Sequence, residues 1–117
     1  MGKFNKAIEI WEKKIPLIDN ELEKAWLFHE MGHCFIEIED YHSAKEYGLK
    51  ALESAHKIND DGWKLNALVL LALCHVRLKG SLNLNEAIVN FQKAFELSEQ
   101  QRKILEIKIQ NNITFNN

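Results

Sequence analysis

Apolar residues return every three or four positions along nearly the whole chain, the spacing of amphipathic helices. Tyr41, Ala44, Gly48, Ala51, Leu52 and Ala55 share one face, and Leu84, Ala87, Ile88, Phe91, Ala94 and Phe95 share another. The stretch through Leu65, Leu68, Leu71, Ala72 and His75 is apolar nearly all round from Ala67 to Val76, the mark of a helix covered on more than one side. Helix-start signals punctuate the pattern. Asn20-x-x-Glu23, Ser43-x-x-Glu46, Asn83-x-x-Glu86 and Ser98-x-x-Gln101 fit a capping box, in which a short polar side chain satisfies an orphan backbone N–H. Asp40 is preferred to Ser43 as the cap of its helix, and Asp60 caps a further start. The pattern predicts about six helices, over 3–18, 21–38, 41–57, 61–79, 84–97 and 99–112. Their short connections require consecutive helices to pack antiparallel. Residues 1–110 form the expected domain, and 111–117 a polar tail that frays.

Composition narrows the class. One proline and five glycines leave little turn chemistry for an all-β fold, so the chain reads as all-α. At 117 residues with 46% apolar and 27% charged residues, one domain with a modest core is expected. Fifteen basic residues against 17 acidic ones give a net charge of -2, which argues against nucleic-acid or anionic-membrane partners. Leu65–Val76, the longest run without a charge, is too short to span a bilayer. Met1-Gly2-Lys3 leads straight into an amphipathic pattern, without the apolar core of a secretory leader. Lys6 stands where a myristoylation motif wants Ser or Thr. Cys34 and Cys74 form no C-x-x-C pair, and the expectation is two buried thiols in a cytoplasmic protein.

Internal repetition decides the architecture. Phe28-x2-Met31-Gly32-x2-Phe35 superposes on Leu68-x2-Leu71-Ala72-x2-His75 at an offset of 40, which also carries Cys34 onto Cys74. Ala7-x3-Trp11, Ala44-x3-Gly48 and Ala87-x3-Phe91 mark the alternate helices, at offsets of 37 and 43. Two helix types alternating at this period imply a stacked solenoid.

The pattern resembles the tetratricopeptide repeat family, W-x2-L-G-x2-Y followed by A-x3-F and a late Ala. Phe28, Met31, Gly32, Phe35, Ala44 and Ala51 carry it in one repeat, and Leu71, Ala72, Ala87, Phe91 and Ala94 in the next. The resemblance implies a right-handed solenoid of antiparallel helix pairs that binds proteins. Three departures stand out: the longer period, Gly48 in an aromatic slot with Tyr47 beside it, and the extended turn Lys79-Gly80-Ser81-Leu82-Asn83. More narrowly, Glu23-Lys24-x-Trp26-Leu27-Phe28-His29-Glu30-x-Gly32, then Tyr41, Tyr47-Gly48 and Trp63-x-Leu65-Asn66-Ala67, is similar to the C-terminal repeats of a family of axonemal docking scaffolds. That similarity implies help in attaching outer dynein arms to doublet microtubules, with docking-complex or dynein-arm components as partners and the cilium axoneme as location.

His29-Glu30-Met31-Gly32-His33 is a literal H-E-x-x-H, the zinc pair and general base of a metalloprotease when a third ligand joins it. The metzincin continuation fails, because Ile36 and Glu39 stand where Gly and His are needed. Glu53 on the next helix is the remaining candidate, but it should face outward beside Leu52. Met31 and Gly32 are already explained by the repeat, so no metal, cofactor or enzymatic activity is expected. His75 takes an aromatic repeat slot as a hydrogen-bonded core residue, while His42 and His56 lie near helix ends in solvent. Phe28, Phe35, Trp11 and Phe91 fall on packing slots of the core. No histidine has a serine or cysteine partner placed by the pattern, which leaves nucleophilic catalysis without support.

The expected binding surface is a concave strip between the core slots. On the second helix it comprises Trp26, His29, Glu30, His33 and Glu37; on the fourth, Asn66, Val69, Leu70, Leu73 and Arg77. A partner peptide or helix would lie in this groove. Co-chaperone repeats that clamp an acidic C-terminus use Lys, Arg and Asn at such slots, whereas His29, His33, Val69 and Leu73 stand here. A second expectation competes for Leu70 and Leu73: the last helix, with Ile104, Leu105, Ile107 and Ile109, folds over them as a cap.

Overall fold

Three short polar side chains set the frame. Asn20 Oδ1 accepts from the backbone N–H of Leu22 at 2.8 Å and of Glu23 at 3.1 Å. Asp40 accepts from Ser43 N at 3.2 Å and from its hydroxyl at 2.8 Å, so Asp40 rather than Ser43 is the cap. Asp60 accepts from Trp63 N at 3.0 Å. Each satisfies donors that a helix start leaves orphaned. In this computed structural model, which describes residues 2–78 and 81–116 apart from the side chains of 81–84 and 112–116, these caps open three helices of 17 residues each. They are α2 (Glu21–Glu37), α3 (Tyr41–Lys57) and α4 (Asp61–Arg77). Before them comes α1 (Gly2–Lys14), ended by the 3₁₀ turn Ile15–Leu17 around Pro16, and after them α5 (Ser81–Asn116).

The junctions α2–α3 and α3–α4 repeat one device. Glu39 and Asn59 take left-handed φ of 63° and 51°. Asp40 N then donates to Phe35 O at 2.9 Å and Glu39 N to Ile36 O at 3.0 Å. In the next junction Asp60 N donates to Ala55 O at 3.0 Å and Asn59 N to His56 O at 3.1 Å. Both are Schellman closures. In each, the residue that completes the closure also caps the following helix, so Ile38-Glu39-Asp40 and Ile58-Asn59-Asp60 turn the chain identically.

Packing follows the repeat. α3 lies against α2 and α4, α2 also touches α1 and α4, and α5 packs on α4. The described helices and the absence of strands among the described residues make the chain an all-α helical solenoid. One core joins Ile8, Leu27, Met31 and Cys34, with Trp11, Phe35 and Tyr47 around them. Ala44, Ala51, Ala55, Leu68, Leu70, Leu71, Ala72, Cys74, Ala87 and Ala94 are buried as well. Two glycines permit the close crossings. A Cβ on Gly32 would stand 2.5 Å from Leu70 Cδ2, and one on Gly48 2.9 Å from Leu71 Cδ2. Tyr47 supplies the ring that Gly48 lacks, stacked on Phe35 with centroids 5.4 Å apart.

The C-terminal third departs from the expected plan. Helices over 84–97 and 99–112 are instead one continuous 36-residue helix, with no break at Ser98. The predicted Asn83 cap lies inside it, since the helix already runs from Ser81; Lys79 and Gly80 of the extended turn lie outside the described residues. Across the expected break, Arg102 bridges Glu99 at 2.8 Å and Glu106 at 2.5 Å, pairs three and four residues apart that favour helix. The backbone is helical through Asn116, into the expected polar tail. At 1.5 Å per residue such a helix is about 54 Å long, matching the longest dimension of the molecule, 56 Å. Ile104, Leu105, Ile107 and Ile109 are therefore exposed and cover neither Leu70 nor Leu73. Phe91, expected in the core, and Phe95, on the same apolar stripe, are exposed as well, because α5 does not turn back over them. No helix among the described residues is long and apolar enough to cross a membrane.

Candidate partner-binding surface

Helical spacing places Trp26, His29 and His33 along one side of α2, and Asn66, Val69, Leu73 and Arg77 along the corresponding side of α4. α2 and α4 touch directly, which brings the two strips together. Trp26 is exposed, with its ring edge-on to Trp11 at 6.3 Å. Val69 and Leu73 are 37% and 39% exposed, large apolar groups one turn apart in contact with water. Asn66, Arg77 and Glu37 are exposed, and Glu30 is half-buried.

One predicted member does not belong. Leu70 is 1% exposed and is a core residue, not part of the surface. Its Cδ2 fills the notch that Gly32 leaves in α2. Helix α4 is apolar nearly all round, so periodicity could not separate its buried side from its open side. At the repeat offset Leu70 corresponds to Glu30, a half-buried polar residue, which gave no sign of a core slot.

The two halves of the strip are joined by a residue that the sequence reading left out of the site. The ring of Trp63, in the first turn of α4, meets the His29 ring at 5.6 Å, and His29 meets His33 at 4.5 Å, both edge-on. Burial is the largest effect on His29 and, with the neighbouring His33, holds its pKa below the ordinary imidazole value; Glu30 opposes this, with a carboxylate oxygen 3.7 Å from Nδ1. A Trp one turn into a helix, facing the neighbouring helix of the same type, is the signal that could have found it.

The H-E-x-x-H pair thus has its two imidazoles adjacent. Glu53, the candidate third ligand, is instead exposed on α3, 3.6 Å from Lys57. No group of three or more His, Cys, Asp or Glu placed to hold a metal ion occurs among the described residues. Cys34 and Cys74 are buried, and burial pushes both thiols up, Cys74 to about 11. Both are therefore protonated, weakly nucleophilic thiols near neutral pH. His75 is buried with Nδ1 3.2 Å from Glu86 Oε2, a contact not aligned as the expected hydrogen bond. It joins α4 to α5, where Glu86 also reaches Lys45 of α3 at 3.9 Å. His42 and His56 are exposed near helix ends.

Comparison with known proteins gives one group of relatives. Outer dynein arm-docking complex subunit 4 of Xenopus laevis is 49% identical over 96 residues, 82% of this chain and 18% of that protein. The protein of the same name from Danio rerio is 46% identical over 96 residues, covering 82% of this chain and 19% of its own length. The Homo sapiens protein is 45% identical over the same 82% of this chain and 14% of its own length. The chain therefore spans less than a fifth of these relatives. No protein-family model and no solved structure matches it.

Proposed function

We propose that the chain is a protein–protein interaction module of an outer dynein arm docking assembly, built from tetratricopeptide-like helix pairs. The observation that carries this reading is 45–49% identity over 82% of the chain to proteins named as subunits of that complex. The partner is a protein component of the docking complex or the dynein arm, and the place of action is the cilium axoneme. The contact surface is the strip formed by Trp26, His29, Glu30, His33, Glu37 and Trp63 with Asn66, Val69, Leu73 and Arg77. Exposed Trp, Val and Leu beside polar neighbours suit the apolar face of a helix or peptide laid across α2 and α4. The module is not an enzyme, and its mixed charge suits neither nucleic acid nor an anionic membrane.

Capture from ciliated-cell extract tests the reading. The wild-type chain should retain docking-complex components, and a Val69→Glu/Leu73→Glu variant should lose them while melting at nearly the same temperature. Retention of unrelated proteins only, or equal retention by the variant, would overturn the assignment. The absence of basic clamp residues at His29, His33, Val69 and Leu73 disfavours the co-chaperone reading, in which a peptide with an acidic C-terminus would be captured instead.

A further inference from the structure

Helix α5 carries a second apolar surface, outside the strip on α2 and α4. Ile88, Phe91 and Phe95, then Ser98 and Arg102, then Leu105 and Ile109 follow at spacings that alternate between three and four residues. This is the seam of a coiled coil, sustained over three heptads. Its five apolar members are each 40–66% exposed. The first three line a hollow of about 490 Å³ with Gln92 and Glu96. The internal repeat says what kind of object belongs there. Gly48 of α3 corresponds to Phe91 of α5 at an offset of 43 and packs against Leu71 of the next helix, α4. Phe91 accordingly faces the place of one further helix.

The order of residues along the seam identifies that helix. The seam is apolar at both ends and polar in the middle, so it complements itself when reversed. With two copies of α5 antiparallel, Phe91 meets Ile109 of the second copy, Phe95 meets Leu105 and Ser98 meets Arg102. Every layer then sets an a-type position against a d-type one. Arg102, held by Glu99 and Glu106, then shares the polar middle layer with Ser98. A parallel pairing would instead set Arg102 against Arg102 within the seam. The antiparallel arrangement is isologous, the form taken by most two-fold dimers. It also gives a partner to the half of α5 that leaves the bundle, where residues 102–111 are all exposed.

We propose that α5 is a self-association helix that joins two copies of this chain as an antiparallel pair through Phe91, Phe95, Leu105 and Ile109. The proposal is independent of the docking reading, since it concerns a second copy and not another protein.

Light scattering on the full chain across a concentration series should show a dimer. Phe95→Glu and Leu105→Glu should each raise the dissociation constant at least about tenfold. Because both side chains are exposed in the single chain, helical content should not change. Phe95→Cys combined with Leu105→Cys should give a disulfide-linked dimer on oxidation. Either cysteine alone should not, because like positions lie about 15 Å apart along the axis of the antiparallel pair at 1.5 Å per residue. A monomer at every concentration would overturn the proposal, as would a dimer that tolerates both glutamates or efficient linkage through a single introduced cysteine. A monomer with a radius of gyration well below 16.8 Å would overturn it too, by showing the helix folded back on its own bundle.

Discussion

Replacing Gly32 by alanine isolates the crossing of α2 and α4. The new methyl would stand 2.5 Å from Leu70 Cδ2, whereas apolar carbons rest at about 3.5–4.0 Å. Leu70 is fully packed and has little room to give. Overpacking of this kind costs about 1–3 kcal/mol, while Gly→Ala within a helix returns about 1 kcal/mol of propensity. Gly32→Ala should therefore be destabilising by about 0–2 kcal/mol instead of stabilising. Leu70→Ala alone should cost about 2–5 kcal/mol. In the double variant the clash disappears and the propensity gain remains, so it should be about 1 kcal/mol more stable than Leu70→Ala. The cycle then shows a coupling of about 1–3 kcal/mol, equal to the strain relieved. Urea unfolding followed by circular dichroism measures all four species. If Gly32→Ala is stabilising and the two changes add within about 0.5 kcal/mol, the close crossing at Gly32 is wrong.

Leu70→Glu buries an unpaired carboxylate and should unfold the chain or lower its stability by several kcal/mol, whereas Leu73→Glu, on a residue 39% exposed, should leave the melting temperature nearly unchanged; similar melts for the two would undo the separation of core from surface. The Cys74 thiol is raised to about 11 in the folded state, so the unfolded chain loses its proton first as pH rises. Stability due to Cys74 is therefore full below about pH 8.5 and declines toward pH 11; Cys74→Ala should flatten that decline in chemical denaturation, and an unchanged slope would refute it. Purified chain should hold no stoichiometric zinc, because His29 and His33 lack the third ligand; one zinc per chain by elemental analysis, lost in His33→Ala, would reopen the metal reading.

Most of the fold was legible where local chemistry and tertiary packing agree. Asn20, Asp40 and Asp60 are polar caps before apolar periodicity, and all three cap in the structure. Gly32 and Ala72 fall on one slot of the repeat, and both residues are buried. Ser98-x-x-Gln101 has the same form as a true cap but lies within α5, since a capping pair starts a helix only where the chain has reason to stop the previous one. No Gly or Pro occurs from Ser81 to Asn116, and Arg102 braces the segment with Glu99 and Glu106. The exposure of Trp26, Asn66, Val69, Leu73 and Arg77 could be read because repeat slots alternate between buried and open positions. Leu70 could not, because its burial depends on an absence of side chain at Gly32, on a different helix. Trp63 was missed for a related reason: its contact with His29 is made between helices.

The most direct measurement is hydrogen exchange on the chain with and without reconstituted outer dynein arm docking complex. Binding through the proposed strip predicts added protection in α2 and α4, over Trp26–His33 and Trp63–Leu73, with Val69→Glu/Leu73→Glu abolishing it. Protection confined to α1 or α3, or no change on mixing, would contradict a docking role for this surface.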